Sequence, residues 1–274
     1  MNKIKILIFL FLLPIWGFAQ EATLTILHTN DTHSQIVPYK KNETTFLGGV
    51  MRRAVLFEET KKHTTNTLIV DAGDFFQGSA YFNYYKGKVE IEAMNLLGYE
   101  VVTLGNHEFD NGTEALAKRL SKAKFTVVCA NYEFKNKKLQ KLVKPYTILY
   151  KNNLKIGIFG LTTPLKGLVL NEILSEVTYL DAFTAAKETV KLLKDKHCDL
   201  IICLSHLGFD LNHDGVQTNI CDTELARTVP EIDFIIGGHT HTYLAEPKVI
   251  NGVTIVQTGS RGENIGKIEI YKQR

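Results

Sequence analysis

Short runs rich in β-branched and aromatic residues alternate along the chain with longer amphipathic ones. TLTILHT (23–29), TLIVDA (67–72), VVTL (101–104), FTVVCAN (125–131), KIGIFGL (155–161), LIICLSH (200–206), DFIIGG (233–238), VTIVQTG (253–259) and KIEIYK (267–272) predict strands. Between them, residues 48–63, 88–98, 112–123 and 181–197 carry apolar side chains at three- and four-residue spacing and predict helices. Asp181 is placed to accept the free N–H groups of the last helix, and the Lys-rich end of that helix suits the negative pole of its dipole. Such alternation predicts an α/β layered fold. Near-continuous apolar strands such as LIICL and DFIIG predict a sheet covered on both faces.

The chain has 274 residues, 45% of them apolar, which accommodates one large domain. It opens MNKIKILIFLFLLPIWGFAQ, where Lys3 and Lys5 precede an apolar run that ends in Gly17, Phe18 and Ala19. That is the pattern of a secretory leader over residues 1–20, leaving 21–274 as the mature domain in the periplasm or outside the cell. The uncharged stretch is short for a membrane span and Pro14 interrupts it, so no stable span is expected. The formal charge of +3 falls by the two charges of Lys3 and Lys5 when the leader leaves. A balance that close to neutral does not favour binding to a nucleic-acid polymer or a membrane surface. Cys129, Cys198, Cys203 and Cys221 form no C-x-x-C pair, which argues against a zinc ribbon, while a bridge between Cys198 and Cys221 is left open.

Polar clusters sit at the C-terminal ends of five predicted strands: NDTH (30–33), DAGDFFQG (71–78), GNHEFD (105–110), SHLGFD (205–210) and GGHTH (237–241). In α/β sheets those ends face one crevice, so the five are expected to converge. Asp31, His33, Asp74, Asn106, His206, His239 and His241 offer imidazole nitrogens and carboxylate or amide oxygens without a thiolate. This set suits borderline divalent ions. If locally extended, the pairs Asp31/His33 and His239/His241 each project to one side. Seven such groups exceed the needs of one tetrahedral ion and point to two, with Asp74 as the bridging carboxylate. Two neighbouring divalent ions suit phosphate-ester hydrolysis, since they polarise phosphoryl oxygens and acidify a bound water.

Taken in order, NDTH, GDFFQG, GNHEFD, SHLG and GGHTH resemble the five blocks of the calcineurin-like metallophosphoesterases, specifically the secreted 5′-nucleotidase branch. The resemblance spans residues 24 to about 270 and implies a four-layer α-β-β-α sandwich. It implies one metal held by Asp31, His33, Asp74 and His241, and a second held by Asp74, Asn106, His206 and His239. Zinc or manganese would be the ions, with iron, cobalt, magnesium and calcium as alternatives. His107, oriented by Asp110, would face the scissile phosphate, as general acid or as stabiliser of transition-state charge. Arg261, in the Gly-rich stretch 259–266, is a further candidate for touching phosphate, along with Asn106 and His107. His28, His63 and His197 read as structural, and Asp210 and His213 as members of a solvated loop.

The function this implies is release of phosphate from nucleoside 5′-monophosphates. The alternatives are a broader phosphomonoesterase, a 2′,3′-cyclic phosphodiesterase or a UDP-sugar hydrolase. Most secreted 5′-nucleotidases continue into a C-terminal domain that supplies nucleotide recognition, whereas this chain stops at Arg274. A catalytic half completed by a separate recognition protein is therefore another alternative. A non-catalytic binder of metal or nucleotide would be expected to have lost ligands, and none of the candidate positions is lost.

Overall fold

A computed structural model describes residues 23–210 and 220–271. The expected leader, His213 and the last residue of the expected strand 267–272 lie outside the described residues.

Two six-stranded sheets stack face to face. The first is built from β1 (Leu24–Thr29), β2 (Thr67–Asp71), β3 (Val101–Thr103), β4 (Thr126–Val128) and β5 (Val143–Lys144), with β12 (Gly266–Ile270) on its other edge. Its order is β12-β1-β2-β3-β4-β5, parallel throughout except for the antiparallel β12. The second contains β6 (Tyr146–Lys151), β7 (Leu154–Thr162), β8 (Leu200–His206), β9 (Phe234–Gly237), β10 (Lys248–Ile250) and β11 (Val253–Val256). Its order is β10-β11-β9-β8-β7-β6, with parallel central strands and antiparallel edges. In the second sheet short turns join the antiparallel edge pairs β6–β7 and β10–β11. In the first the antiparallel pair brings together the two ends of the described chain, and the parallel strands require crossover connections.

The hydrophobic core divides in three, as four layers demand. Ile26, Leu68, Val70, Ile158, Ile202 and Ile236 fill the space between the sheets. A second cluster, including Ile69, Val102 and Phe57, packs the first sheet against α1 (Val50–Lys62), α2 (Lys88–Leu97) and α3 (Gly112–Leu120). A third packs the second sheet against α4 (Ala182–Asp195) and α5 (Asp222–Thr228) through Ala186, Leu193, Leu225 and Ile235. The four-layer α-β-β-α sandwich is thus the fold that forms. LIICLSH is buried at every position, which is why LIICL reads as an unbroken apolar run, and LTILHT is equally buried although Thr25, His28 and Thr29 interrupt its apolar residues. Asp181 caps α4, its Oδ1 accepting from Thr184 N at 2.8 Å.

Several element boundaries differ from expectation. FTVVCAN contributes only residues 126–128 to a strand, and the helix expected to reach residue 123 ends at Leu120. β6 and α5 carry too short or too mixed a pattern to announce themselves, and packing against neighbours stabilises them instead. All four cysteines are free, so the Cys198–Cys221 bridge is not made. Cys221 is buried, its Sγ 3.3 Å from Thr223 Oγ1, and Cys129 and Cys203 are buried in strand-associated core.

Candidate metal centre and active-site cleft

The loops that follow β1, β2, β3, β8 and β9 meet at one end of the sandwich, and hydrogen bonds tie them to one another. Asp31 N donates to Gly73 O at 2.9 Å, joining the first loop to the second. His239 N donates to both carboxylate oxygens of Asp31, at 3.1 and 3.0 Å, joining the last of the five to the first. His206 Nδ1 donates to Ala72 O at 2.7 Å, which brings the second sheet's loop onto the first sheet's.

The last of these bonds also sets chemistry. A proton held on Nδ1 by a backbone carbonyl leaves Nε2 with its lone pair, the arrangement found behind metal-ligating histidines. His206 Nε2 is fully buried, lacks a hydrogen-bond partner of good geometry, and lies 3.1 Å from Asp74 Oδ2 and 3.9 Å from Asp31 Oδ1. Nearby, His33 Nε2 and His241 Nε2 approach within 2.9 Å, with Asp31 Oδ1 at 3.9 and 3.5 Å from them. Asp31, His33 and His241 form one cluster of ligand atoms within 4.8 Å of one another, and Asp74, His206 and His239 form a second. Asp74 and His33 also close with His107. Asn106 is buried in the turn between Gly105 and His107, and its Oδ1 has no hydrogen-bond partner.

Acceptor atoms facing one another at such distances fit divalent cations, and the buried unpaired atoms of His206 and Asn106 would be costly without them. Electrostatics agree. Burial alone would lower His206, yet the Asp74 and Asp31 carboxylates beside it push it up to about 10. Burial alone would raise Asp74, yet His206 beside it holds that carboxyl below the usual carboxylate range. Burial raises Asp31 to about 7 and lowers His33 to about 4. The Asp74 and Asp31 carboxylates thus favour positive charge beside His206, while His33 stays neutral.

The backbone corrects one expectation. Asp31, His33, His239 and His241 are not extended; their φ values are 49°, 45°, 74° and 52°, and Asp74 has φ 55°. Five of the seven candidate ligands therefore occupy the left-handed region, each at a cost of about 1 kcal/mol or more that the surrounding structure must offset. Left-handed turns, not the pleat of a strand, aim the i and i+2 side chains. Asp31 and His33 fall into one cluster, while His239 and His241 fall into different ones. Close approach matters as well, since a Cβ on Gly105 would collide with the Asp74 carboxylate.

His107 lies at the rim of these clusters, its ring edge-on to His33 with centroids 5.4 Å apart. Its Nδ1 is 2.9 Å from Asp110 Oδ2, and its backbone N donates to Asp74 Oδ1 at 2.8 Å. Burial opposes its charge, but the Asp110 hydrogen bond and the Asp74, Asp110 and Glu108 charges outweigh it and raise the ring to about 9. With 31% of its side chain exposed, His107 opens onto a cleft of about 340 Å³ that it shares with His33, Gln77, His241, Arg261 and Glu263.

Two residues beyond the candidate set hold the loops together. Glu108 is buried, and its carboxylate accepts from Asp74 N (2.9 Å), Gly105 N (2.6 Å) and Phe76 N (3.0 Å), stapling the second loop to the third. Asn30 donates to Asp31 Oδ2 and to Gly259 O, both at 2.6 Å, while its Oδ1 accepts from Thr258 N and Oγ1. The place of both residues inside NDTH and GNHEFD was the available signal, but most of their partners lie far away in sequence. Glu108→Gln turns one acceptor oxygen into a donor facing N–H groups. It is expected to destabilise the metal-free protein by about 1–3 kcal/mol, read by urea denaturation. Asp210 lies in the loop that follows β8, and His28, within β1, is buried.

Residues 24–243 match the calcineurin-like phosphoesterase family. The chain is 35% identical over 243 residues to a 5′-nucleotidase of Rattus norvegicus, covering 85% of this chain and 40% of that protein. It is 31% identical over 291 residues to the trifunctional nucleotide phosphoesterase protein YfkN of Bacillus subtilis, covering 90% of this chain and 18% of that one. The crystal structure of a 5′-nucleotidase precursor from Thermus thermophilus superposes with a TM-score of 0.81 at 36% identity, over 89% of this chain and 50% of the other. The chain thus spans well under half the length of these curated relatives. The loops that carry the two clusters fall within the matched region, and the chain belongs to the calcineurin-like phosphoesterase family.

Proposed function

We propose that this chain is an exported two-metal phosphohydrolase that releases phosphate from nucleoside 5′-monophosphates. The observation that carries the reading is the juxtaposition of two clusters of metal-ligand atoms with a histidine–aspartate pair that opens onto one cleft. Asp31, His33, Asp74 and His241 would hold one ion, and Asp74, Asn106, His206 and His239 the other. Bound divalent ions supply Lewis acidity toward phosphoryl oxygens and acidify a water.

The chain's own residues do the rest. Asp110 orients His107 by accepting from Nδ1–H and helps to keep the ring cationic near neutral pH, so that Nε2–H can donate a hydrogen bond or a proton to the phosphoryl group. Asp74 couples the two halves of the centre: its Oδ1 accepts from His107 N while its Oδ2 faces His206. Glu108 and Asn30 keep the loops in register, so the donors stay preorganised. The rat, Thermus and Bacillus proteins named as nucleotidases or nucleotide phosphoesterases support a nucleotide as substrate.

Export rests on the leader pattern of residues 1–20; among the described residues no helix is long and apolar enough to cross a membrane.

The test is a screen of the metal-reconstituted chain against nucleoside monophosphates, 2′,3′-cyclic nucleotides, UDP-sugars and p-nitrophenyl phosphate. Phosphate release that a chelator abolishes and added metal restores is expected. A strong preference for nucleotides by the isolated chain would argue against the separate recognition protein. Failure to act on any phosphate ester with both ions bound would refute the hydrolase itself.

A further inference from the structure

The cleft carries a second feature besides the clusters, and it lies in the Gly-rich stretch before β12. Arg261 has a left-handed backbone, φ 55°, which a long side chain adopts only at a cost. Its position is fixed from both sides. Its N donates to Asp31 O at 2.7 Å, and its carbonyl oxygen packs so closely on Gly48 that a Cβ there would collide with it. The residue is therefore tied directly to the loop of the first cluster, while its side chain is exposed on the cleft wall that includes His107 and His241.

Nothing among the described residues satisfies the guanidinium with a hydrogen bond or an ion pair. It rests over the Tyr39 ring, Cζ 5.7 Å from the centroid. A stacked guanidinium keeps all its in-plane N–H donors free for another partner. The neighbouring carboxylate, Glu263, is instead engaged by the Tyr39 hydroxyl, which donates to it. Among the described residues that line this cleft, Arg261 is the sole Lys or Arg. Gln77, on the same wall, also has a left-handed backbone, φ 62°.

We propose that Arg261, stacked on Tyr39, is this domain's own phosphate-reading cation and makes the site prefer phosphomonoester dianions over diesters. The inference rests on the phosphohydrolase reading and adds a specificity residue to it. A monoester near neutral pH presents three terminal oxygens and close to two negative charges, whereas a diester presents two oxygens and one charge. A planar fork of donors gains most from the former, because the dianion offers one more terminal oxygen and about one more negative charge to a cation. The cation would also let the catalytic domain hold its substrate's phosphate without help from another domain.

The test uses the metal-loaded chain and its Arg261→Gln and Arg261→Lys variants. Kinetics would be measured on p-nitrophenyl phosphate and bis(p-nitrophenyl) phosphate, and the rise in melting temperature caused by orthophosphate would be recorded separately. Arg261→Gln is expected to raise KM for the monoester about tenfold to a hundredfold and KM for the diester less than about threefold. It should also largely remove the orthophosphate shift. Arg261→Lys should recover part of both effects, as a point charge without the fork. Equal rises in KM for the two esters, or an undiminished orthophosphate shift in Arg261→Gln, would overturn the proposal. If the wild-type chain hydrolyses neither nitrophenyl ester, the orthophosphate shift alone decides the role of Arg261, and the nucleotide screen decides the hydrolase reading separately.

Discussion

Asp74→Asn is expected to reduce metal-dependent phosphate release on the order of a thousandfold, equivalent to about 4 kcal/mol in the barrier. Bound metal should fall below two ions per chain. The substitution is a fair test because it leaves the frame intact. Asp74 sits at φ 55°, a conformation asparagine adopts more readily than most residues, and the amide oxygen can still accept from His107 N as Oδ1 does now at 2.8 Å. What is lost is the negative charge that faces His206 Nε2 at 3.1 Å and links the two clusters. Metal analysis by atomic emission alongside turnover separates the possible results. Undiminished turnover with two ions still bound would remove Asp74 from the centre.

His107→Asn should lower kcat by about 10²–10⁴-fold while leaving both ions in place. The side chain opens onto the cleft rather than into the core, so its loss creates little cavity. Asp110→Asn should give a smaller loss, about tenfold to a hundredfold, because it removes only the group that orients the ring. A titration distinguishes orientation from bulk effects. In the metal-free protein the His107 ring is raised to about 9, so it is cationic below that pH and neutral above it. Without the Asp110 hydrogen bond and charge, its midpoint should move down, which NMR of the ring protons would show. A midpoint unmoved by Asp110→Asn would mean that the 2.9 Å contact does not govern the ring.

Much of the architecture was legible because burial writes itself into composition. Strands covered on both faces carry continuous apolar runs, as LIICL does in β8, and α4 announces itself through its period and its Asp181 cap. Shorter elements, α5 and β6 among them, were not legible, since a few residues carry little periodicity and their stability comes from contact with the layers around them. The same division runs through the site. GNHEFD and GGHTH show which side chains can hold metal or move protons, because residue type and strand-end position are local properties. Glu108 has no role that a local reading supplies, because the amides of Asp74 and Phe76 that it accepts from are 34 and 32 residues away.

By itself, then, the sequence determined the layered α/β class, the five strand ends that bear polar groups, and the residue types that can act there. Only the tertiary structure decided how those groups are held. It turned the backbone left-handed at five ligand positions and used Glu108 and Asn30 to bind loops from opposite parts of the chain. The reason is physical. Side-chain chemistry and hydrophobic period are carried by neighbouring residues, whereas a left-handed turn and a shared carboxylate exist only where distant segments meet and together offset the strain.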